Sequence, residues 1–167
     1  KLRKLNYTDD DKKNVDLILK KYKLLKNDFI VGIAPGAAES AKSRMWPKER
    51  YAELSNRILQ NKQLKIIFVG NDEESILIKS IMDKIKNKNK SFNLAGKISL
   101  RGLFYLATKC KLFIGNDAGA MHVAAAQGVK TIGLFGPNLP VRFGPFGKGN
   151  VVVYKGDICE FSPCINI

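Results

Sequence analysis

A chain of 167 residues with 45% hydrophobic and 26% charged side chains has globular proportions, which excludes a disordered or fibrous protein. Its longest apolar runs, Phe29–Ala34 and Leu64–Val69, are strand-sized and far short of the ~18–20 residues of a membrane-spanning helix, and Lys1 to Tyr7 hold no apolar signal-peptide core. With 29 Lys+Arg against 15 Asp+Glu the net charge is +14, which favours anionic partners (nucleic acid, a membrane face, phosphorylated substrates), although lysines dispersed along helical stretches also fit a plain solvated surface.

Residues 9–26 read as a helix, with Asp9, Asp10 and Asp11 at its start, lysines towards its end, and Val15, Ile18, Leu19, Tyr22 and Leu25 as an apolar stripe. Phe29–Ala34 is a continuous apolar run stopped by Pro35-Gly36, the pattern of a buried strand ending in a turn. A helix then starts near Pro47, taken as a first-turn proline, and carries Tyr51, Leu54, Ser55, Ile58 and Leu59 on one face. Leu64–Val69 is a second buried strand, and 72–87 a helix with Leu77, Ile78, Ile81, Met82 and Ile85 on one side. Phe92–Leu94 is a short third strand. Ser99 caps a helix to about Lys109, with Cys110 as its buried end, and Leu112–Ile114 is the fourth strand. Gly119–Gln127 reads as an alanine-rich helix, and Thr131–Phe135 and Val151–Tyr154 as the last two strands.

Strict alternation of helices with apolar strands means a parallel sheet covered on both faces, an α/β, doubly wound, Rossmann-like domain. In such sheets ligands bind at the carboxyl ends of the strands. The loops there hold Pro35 to Trp46, Gly70 to Glu74, Ala95 to Leu100, Gly115 to His122 and Gly136 to Pro140. They bring together small residues, cations and hydroxyls, and acidic groups join them. That chemistry suits a nucleotide, with backbone N–H groups and cations for phosphates and a carboxylate for ribose hydroxyls.

The strongest single signal is Gly115–His122. Here Asp117 sits on the turn, the N–H groups of Ala118, Gly119 and Ala120 open a helix towards a diphosphate, and His122 follows one turn later. The plainer alternative makes Asp117 a helix cap and His122, the chain's single histidine, a semi-buried imidazole. No Gly-x-Gly-x-x-Gly follows the first strand and no Gly-x4-Gly-Lys-Ser/Thr occurs, which counts against a dinucleotide dehydrogenase and a P-loop hydrolase. Three cysteines do not make a disulfide framework, and Cys159 with Cys164 cannot close a tetrahedral zinc site, so no metal is assigned.

Taken together, Pro35-Gly36-Ala37, Trp46-Pro47, Ala95 to Leu100, Gly115-Asn116-Asp117-Ala118-Gly119-Ala120-Met121-His122 with Ala124 to Ala126, and Phe135-Gly136-Pro137 resemble the C-terminal half of the heptosyltransferases of glycosyltransferase family 9. The resemblance runs from about residue 29 to the end. It implies the nucleotide-sugar half of a two-domain GT-B enzyme that moves heptose from ADP-heptose onto the lipopolysaccharide inner core, with inversion and without a required metal or other cofactor. Residues 29–167 would be the donor domain, 1–28 the interdomain connection with its helix, and the acceptor domain with its acidic base would precede Lys1. Alone, the chain would then be catalytically silent.

The same resemblance implies roles for individual residues. Asp117 would contact the donor sugar, Ala118 and Gly119 the diphosphate through their backbone, and His122 would lie near the phosphates. Glu73 or Glu74 would take the ribose hydroxyls, Ile98 would meet adenine through its backbone, and Ser40 would sit in the phosphate loop. Where the family usually has Lys-x-Trp, this chain has Arg44-Met45-Trp46. Either Arg44, with its bidentate fork, or Lys42 from a shifted loop would neutralise the diphosphate. Trp46 is expected to pack the loop. Cys159 and Cys164 resemble a family cysteine cluster in part.

Two readings compete. A UDP- or GDP-sugar transferase of the same architecture would share these loops, and a basic nucleic-acid-binding domain rests on charge alone. No helix-turn-helix or aromatic-interleaved basic strip supports the latter, so no nucleic-acid partner is expected. The expected location is the cytoplasm, with peripheral contact to anionic lipid at the inner face of the membrane.

Overall fold

The structure is a computed structural model and describes residues 4–24 and 26–156. Helix α1 (Asp9–Lys21) leads into β1 (Phe29–Ala34), α2 (Lys48–Ile58), β2 (Leu64–Phe68), α3 (Glu74–Met82) and β3 (Ser91–Asn93). The chain continues through α4 (Leu100–Ala107), β4 (Cys110–Asn116), α5 (Gly119–Ala126), β5 (Thr131–Phe135), α6 (Pro140–Phe143) and β6 (Val151–Tyr154). The strands form one sheet in the order β3-β2-β1-β4-β5-β6, and every pairing is parallel. This is the doubly wound order expected of alternating elements joined by right-handed crossovers.

The two faces of the sheet separate the core by strand periodicity. Ile30, Ala34, Ile67 and Phe113 point to one side, where they meet Val15 and Leu19 of α1, Leu106 of α4 and Ala124 of α5. Val31, Ile33, Ile66, Phe68 and Ile114 point to the other, against Tyr51 and Ala52 of α2 and Ile78 and Ile81 of α3. Each fully buried Val, Leu, Ile or Phe side chain among them contributes roughly 1.5–3 kcal/mol relative to exposure. Helix α1, within the segment read as a connection, therefore packs into the same core as the strands. Its contact with α4 is reinforced by Tyr105 Oη donating to Asp16 at 2.9 Å.

Several boundaries differ from the sequence reading, each for a local reason. Helix α1 is nucleated by a capping box, Thr8 Oγ1 accepting from Asp11 N while Asp11 accepts from Thr8 N, and it stops at Lys21 because Lys23 takes φ of 52°. Pro47 is the N-cap, and α2 begins one residue later. Helix α3 covers Glu74–Met82 rather than 72–87, its end tightened by Lys84 N donating to Ile81 O and Ile85 N to Met82 O.

Helix α4 ends at Ala107, so Cys110 opens β4 instead of closing a helix. The thiol is buried, which pushes it up to about 12. Strand β3 lies one residue earlier than expected. A 3-10 segment at Glu39–Arg44 and the short α6 were not read at all. Among the described residues the edge strand β6 is less covered than the others, with Val151, Val152 and Val153 37–51% exposed. Leu25, Cys159 and Cys164 lie outside the described residues.

Because all six strands run the same way, every strand-to-helix loop leaves one edge of the sheet and every helix-to-strand turn returns at the opposite one. The five loops singled out in the sequence therefore share the carboxyl edge. No described helix is long and apolar enough to cross a membrane.

Candidate nucleotide site at the carboxyl edge

The strand order reverses between β1 and β4, and the crevice outside their carboxyl ends is the expected ligand position. At its base lies Asn116, the last residue of β4 and 1% exposed. Its Oδ1 accepts from Trp46 N at 3.0 Å and from the Tyr51 hydroxyl at 2.8 Å. Its Nδ2 donates to Pro35 O at 2.8 Å and to Gly36 O at 3.3 Å. One amide thus ties the β1 loop and the start of α2 to β4. Burial pushes the Tyr51 phenol upward, so it stays a neutral donor. The sequence showed Asn116 within a motif but gave it no role, since its partners are 65 to 81 residues away.

Asp117 does not cap α5. The N-cap is Ala118, without a side-chain bond, and the Asp117 carboxylate turns inward instead. It accepts from Asn138 Nδ2 at 2.5 Å and lies 3.6 Å from Arg44 Nη1, with its own side chain only 5% exposed. Arg44, at the end of the 3-10 segment, keeps 38% of its side chain open. Asn138, in the loop after β5, was missed by sequence reasoning. Its only signal was its place beside Gly136-Pro137.

At the residues that follow Asp117 a cleft of about 400 Å³ opens, within the usual size range of small-molecule sites. One wall is small and backbone-rich, with Gly36 to Ala38 facing Ala118, Gly119 and Ala120 at the N-terminus of α5. A second wall is apolar, with Leu94, Ile98, Leu100 and Leu103. Glu74 supplies the carboxylate. Its Oε2 accepts from Asn71 N at 2.8 Å while Asn71 Oδ1 accepts from Glu74 N, which fixes the side chain towards the cleft. Burial raises its pKa above the ordinary carboxylate value, with the Asn71 bond opposing and Glu73 adding to it.

Two glycines shape this space for opposite reasons. A Cβ on Gly36 would fall 1.8 Å from Glu74 Oε1, so the loop and the carboxylate can share the wall only if residue 36 lacks a side chain. A Cβ on Gly119 would meet no protein atom within 4 Å. The protein's own packing therefore does not require this glycine, and the space beside it belongs to the cleft.

The expected site residues divide accordingly. Glu74, Ile98, Ala118 and Gly119 line the cleft, and Asp117 and Arg44 form the adjoining pair. Glu73 is exposed and outside the cleft wall, so the choice between Glu73 and Glu74 falls to Glu74. Ser40 and Lys42 are exposed on the 3-10 segment, and Lys42 is ion-paired with Glu39. Of the two cations, Arg44 is the one beside Asp117, and it lines a neighbouring hollow with Trp46 and Leu134 rather than the cleft itself.

His122 is exposed one turn into α5 and stands outside the cleft wall, neither semi-buried nor among its lining. Trp46 packs edge-on against Tyr51 at 5.1 Å between ring centroids, as a loop anchor does. Among the described residues no three His, Cys, Asp or Glu side chains are grouped to hold a metal ion.

A family model described as "Glycosyltransferase family 9 (heptosyltransferase)" matches residues 3–165. Lipopolysaccharide heptosyltransferase 2 of Salmonella typhimurium is 30% identical over 142 residues, which is 78% of this chain and 40% of that protein. Lipooligosaccharide heptosyltransferase 2 of Campylobacter jejuni is 30% identical over 144 residues, covering 85% of this chain and 45% of the relative. Among solved structures, the Escherichia coli ADP-heptose lipopolysaccharide heptosyltransferase II superposes with a TM-score of 0.77 at 25% identity, over 96% of this chain and 50% of that one. The family 9 glycosyltransferase of Veillonella parvula gives 0.82 at 25% identity, over 92% and 42%. The chain spans less than half the length of these curated relatives.

Proposed function

The chain belongs to glycosyltransferase family 9, the heptosyltransferases, and from that premise we propose that it is the donor half of an inverting GT-B enzyme that transfers heptose from ADP-heptose to the lipopolysaccharide inner core. The observation that carries this is the cleft itself, which sets Glu74, an apolar wall at Ile98 and the N-terminus of α5 around one nucleoside-sized space. In this reading adenine rests by Ile98, Glu74 accepts the ribose hydroxyls, and the diphosphate lies on the N–H groups of Ala118 and Gly119 where the helix dipole favours an anion. Arg44 faces the leaving diphosphate with the fork left over from its contact with Asp117, and Asp117 holds a sugar hydroxyl. His122 and Ser40, exposed beyond the cleft, are left for the part of the ligand that extends past it.

The leaving group is a nucleoside diphosphate, so fixed donors aimed at its developing charge lower the barrier. Deprotonating the acceptor hydroxyl needs a general base within hydrogen-bond reach. In this proposal an acceptor half carries that base, residues 29–167 form the donor domain, and 1–28 lead into it. The whole enzyme works at the inner face of the cytoplasmic membrane, where its lipid-linked acceptor lies.

Isothermal titration of the chain with ADP, UDP and GDP tests the reading. ADP is expected to bind most tightly, and no heptose transfer is expected from the chain alone. Preference for UDP or GDP would move the assignment to another nucleotide sugar, and absence of binding to all three would remove it.

A further inference from the structure

The net charge of +14 looks dispersed along the sequence and is not dispersed in space. All helix-to-strand turns return at the amino edge of the sheet, opposite the nucleotide cleft. The segments that form this edge, 20–28, 59–65, 83–90, 108–111, 127–130 and 147–150, hold fourteen lysines, no arginine, and only Asp28 and Asp83 as acids. The loops of the carboxyl edge, 35–47, 69–74, 94–99, 117–119, 136–139 and 155–156, hold four cations and five carboxylates. The domain is therefore a charge dipole aligned with its strands, one edge strongly cationic and the other near neutral.

A hollow of about 840 Å³ opens at this edge between the end of α1 and the α4–β4 turn. Lys20, Lys23, Lys26, Lys109 and Lys111 ring it, and its one carboxylate, Asp16, is held by the Tyr105 hydroxyl. Beside it Phe29, the first residue of β1, is 48% exposed with Lys111 over its ring.

We propose that this amino edge is the face by which the protein lies on an anionic phospholipid bilayer, with lipid phosphates seated among the lysines and the nucleotide cleft directed away from the membrane. Lysines carried on six separate turns suit phosphates that move independently in a fluid plane. A polynucleotide is better met by the planar arginine fork, and none of the chain's arginines lies in these segments. Phe29 amid lysines is the pairing of apolar and cationic groups that interfacial surfaces use. Strands of five to seven residues at about 3.3 Å each hold the cleft roughly 20 Å above that plane. The charge asymmetry stands independently, whereas the choice of a bilayer over other polyanions rests on the lipid-linked acceptor of the reading above.

Co-sedimentation with phosphatidylcholine vesicles, and with vesicles that also contain phosphatidylglycerol, tests the proposal at low and physiological salt. Lys23→Gln, Lys26→Gln and Lys111→Gln are combined in one variant. The control carries Lys12→Gln, Lys13→Gln and Lys48→Gln, exposed lysines in the first turns of α1 and α2 at the other end of the molecule, so both variants have the same net charge. Near an anionic surface each lysine is worth about five-fold, so the edge variant should bind anionic vesicles on the order of a hundred-fold more weakly and the control within a few-fold of the parent. Binding should fall with salt and be absent on neutral vesicles.

Equal loss in both variants, equal binding to neutral vesicles, no binding at low salt, or tighter capture by a random DNA duplex than by vesicles would each overturn it. Unfolding midpoints verify that both variants fold. ADP titration of the same samples separates the two readings, since vesicle binding can fail while ADP still binds at the opposite edge.

Discussion

The Tyr51 hydroxyl donates to Asn116 Oδ1 at 2.8 Å, joining the first turn of α2 to the last residue of β4 across 65 positions of sequence. Both groups are buried, so each must find a partner inside the protein. Asn116 also carries the Trp46 N–H and the carbonyls of Pro35 and Gly36, which places the cleft loops relative to one another. Tyr51→Phe leaves Trp46 N still bonded to Asn116 and should cost about 0.5–1.5 kcal/mol. Asn116→Ala strands several groups at once and should cost at least about 2 kcal/mol. Chemical denaturation measures both, and equal costs would mean that Asn116 organises nothing beyond its bond to Tyr51.

Glu74 provides a pH signature. Its pKa is raised in the fold, so the protonated form is favoured there, and the stability it contributes is full below 4.5 and lost as pH rises through the folded value. Glu74→Gln removes that dependence. The variant should match the parent in acid and equal or exceed its stability at neutral pH. ADP affinity should run the other way, rising in the parent as the carboxylate forms and staying low and flat in the variant. Parallel pH series of unfolding and titration check both signs.

The two cleft glycines should respond differently to a side chain. In Gly119→Val the Cβ meets no protein atom, and stability should change by less than about 1 kcal/mol. ADP affinity should fall at least about ten-fold, a loss of 1.4 kcal/mol or more. Gly36→Ala collides with the Glu74 carboxylate and should weaken ADP binding by displacing it. In a Glu74→Ala background that second effect should vanish, the non-additivity expected of touching groups. Retained ADP affinity in Gly119→Val would remove the phosphate from the α5 N-terminus.

Asp117→Asn keeps an oxygen for Asn138 and deletes the charge that faces Arg44. In a protein that joins this chain to an acceptor-binding half, it should melt within a few degrees of the parent and lose nearly all transfer. Arg44→Ala should weaken ADP binding more than that of adenosine, because its proposed contact is with the diphosphate. Titration with both ligands separates the effects.

The sequence by itself determined the architecture. Phe29–Ala34, Leu64–Phe68 and Thr131–Phe135 are apolar runs bounded by turns, and alternation with amphipathic helices leaves a parallel doubly wound sheet as the packing that buries them. It also placed Glu74, Arg44, Ile98 and Gly115–Gly119 on one edge, because a parallel sheet sends every strand-to-helix loop there. Tertiary structure decided what those residues do to one another. That Asp117 pairs with Arg44 and Asn138 rather than capping α5, and that Asn116 secures distant loops, depend on groups 21 to 81 residues apart meeting where buried polar atoms need partners, whereas Glu74 rather than Glu73 is set at the cleft by its local exchange with Asn71. The lysines illustrate the same division. Their number was legible in composition, but only the direction of the strands gathered fourteen of them onto one edge.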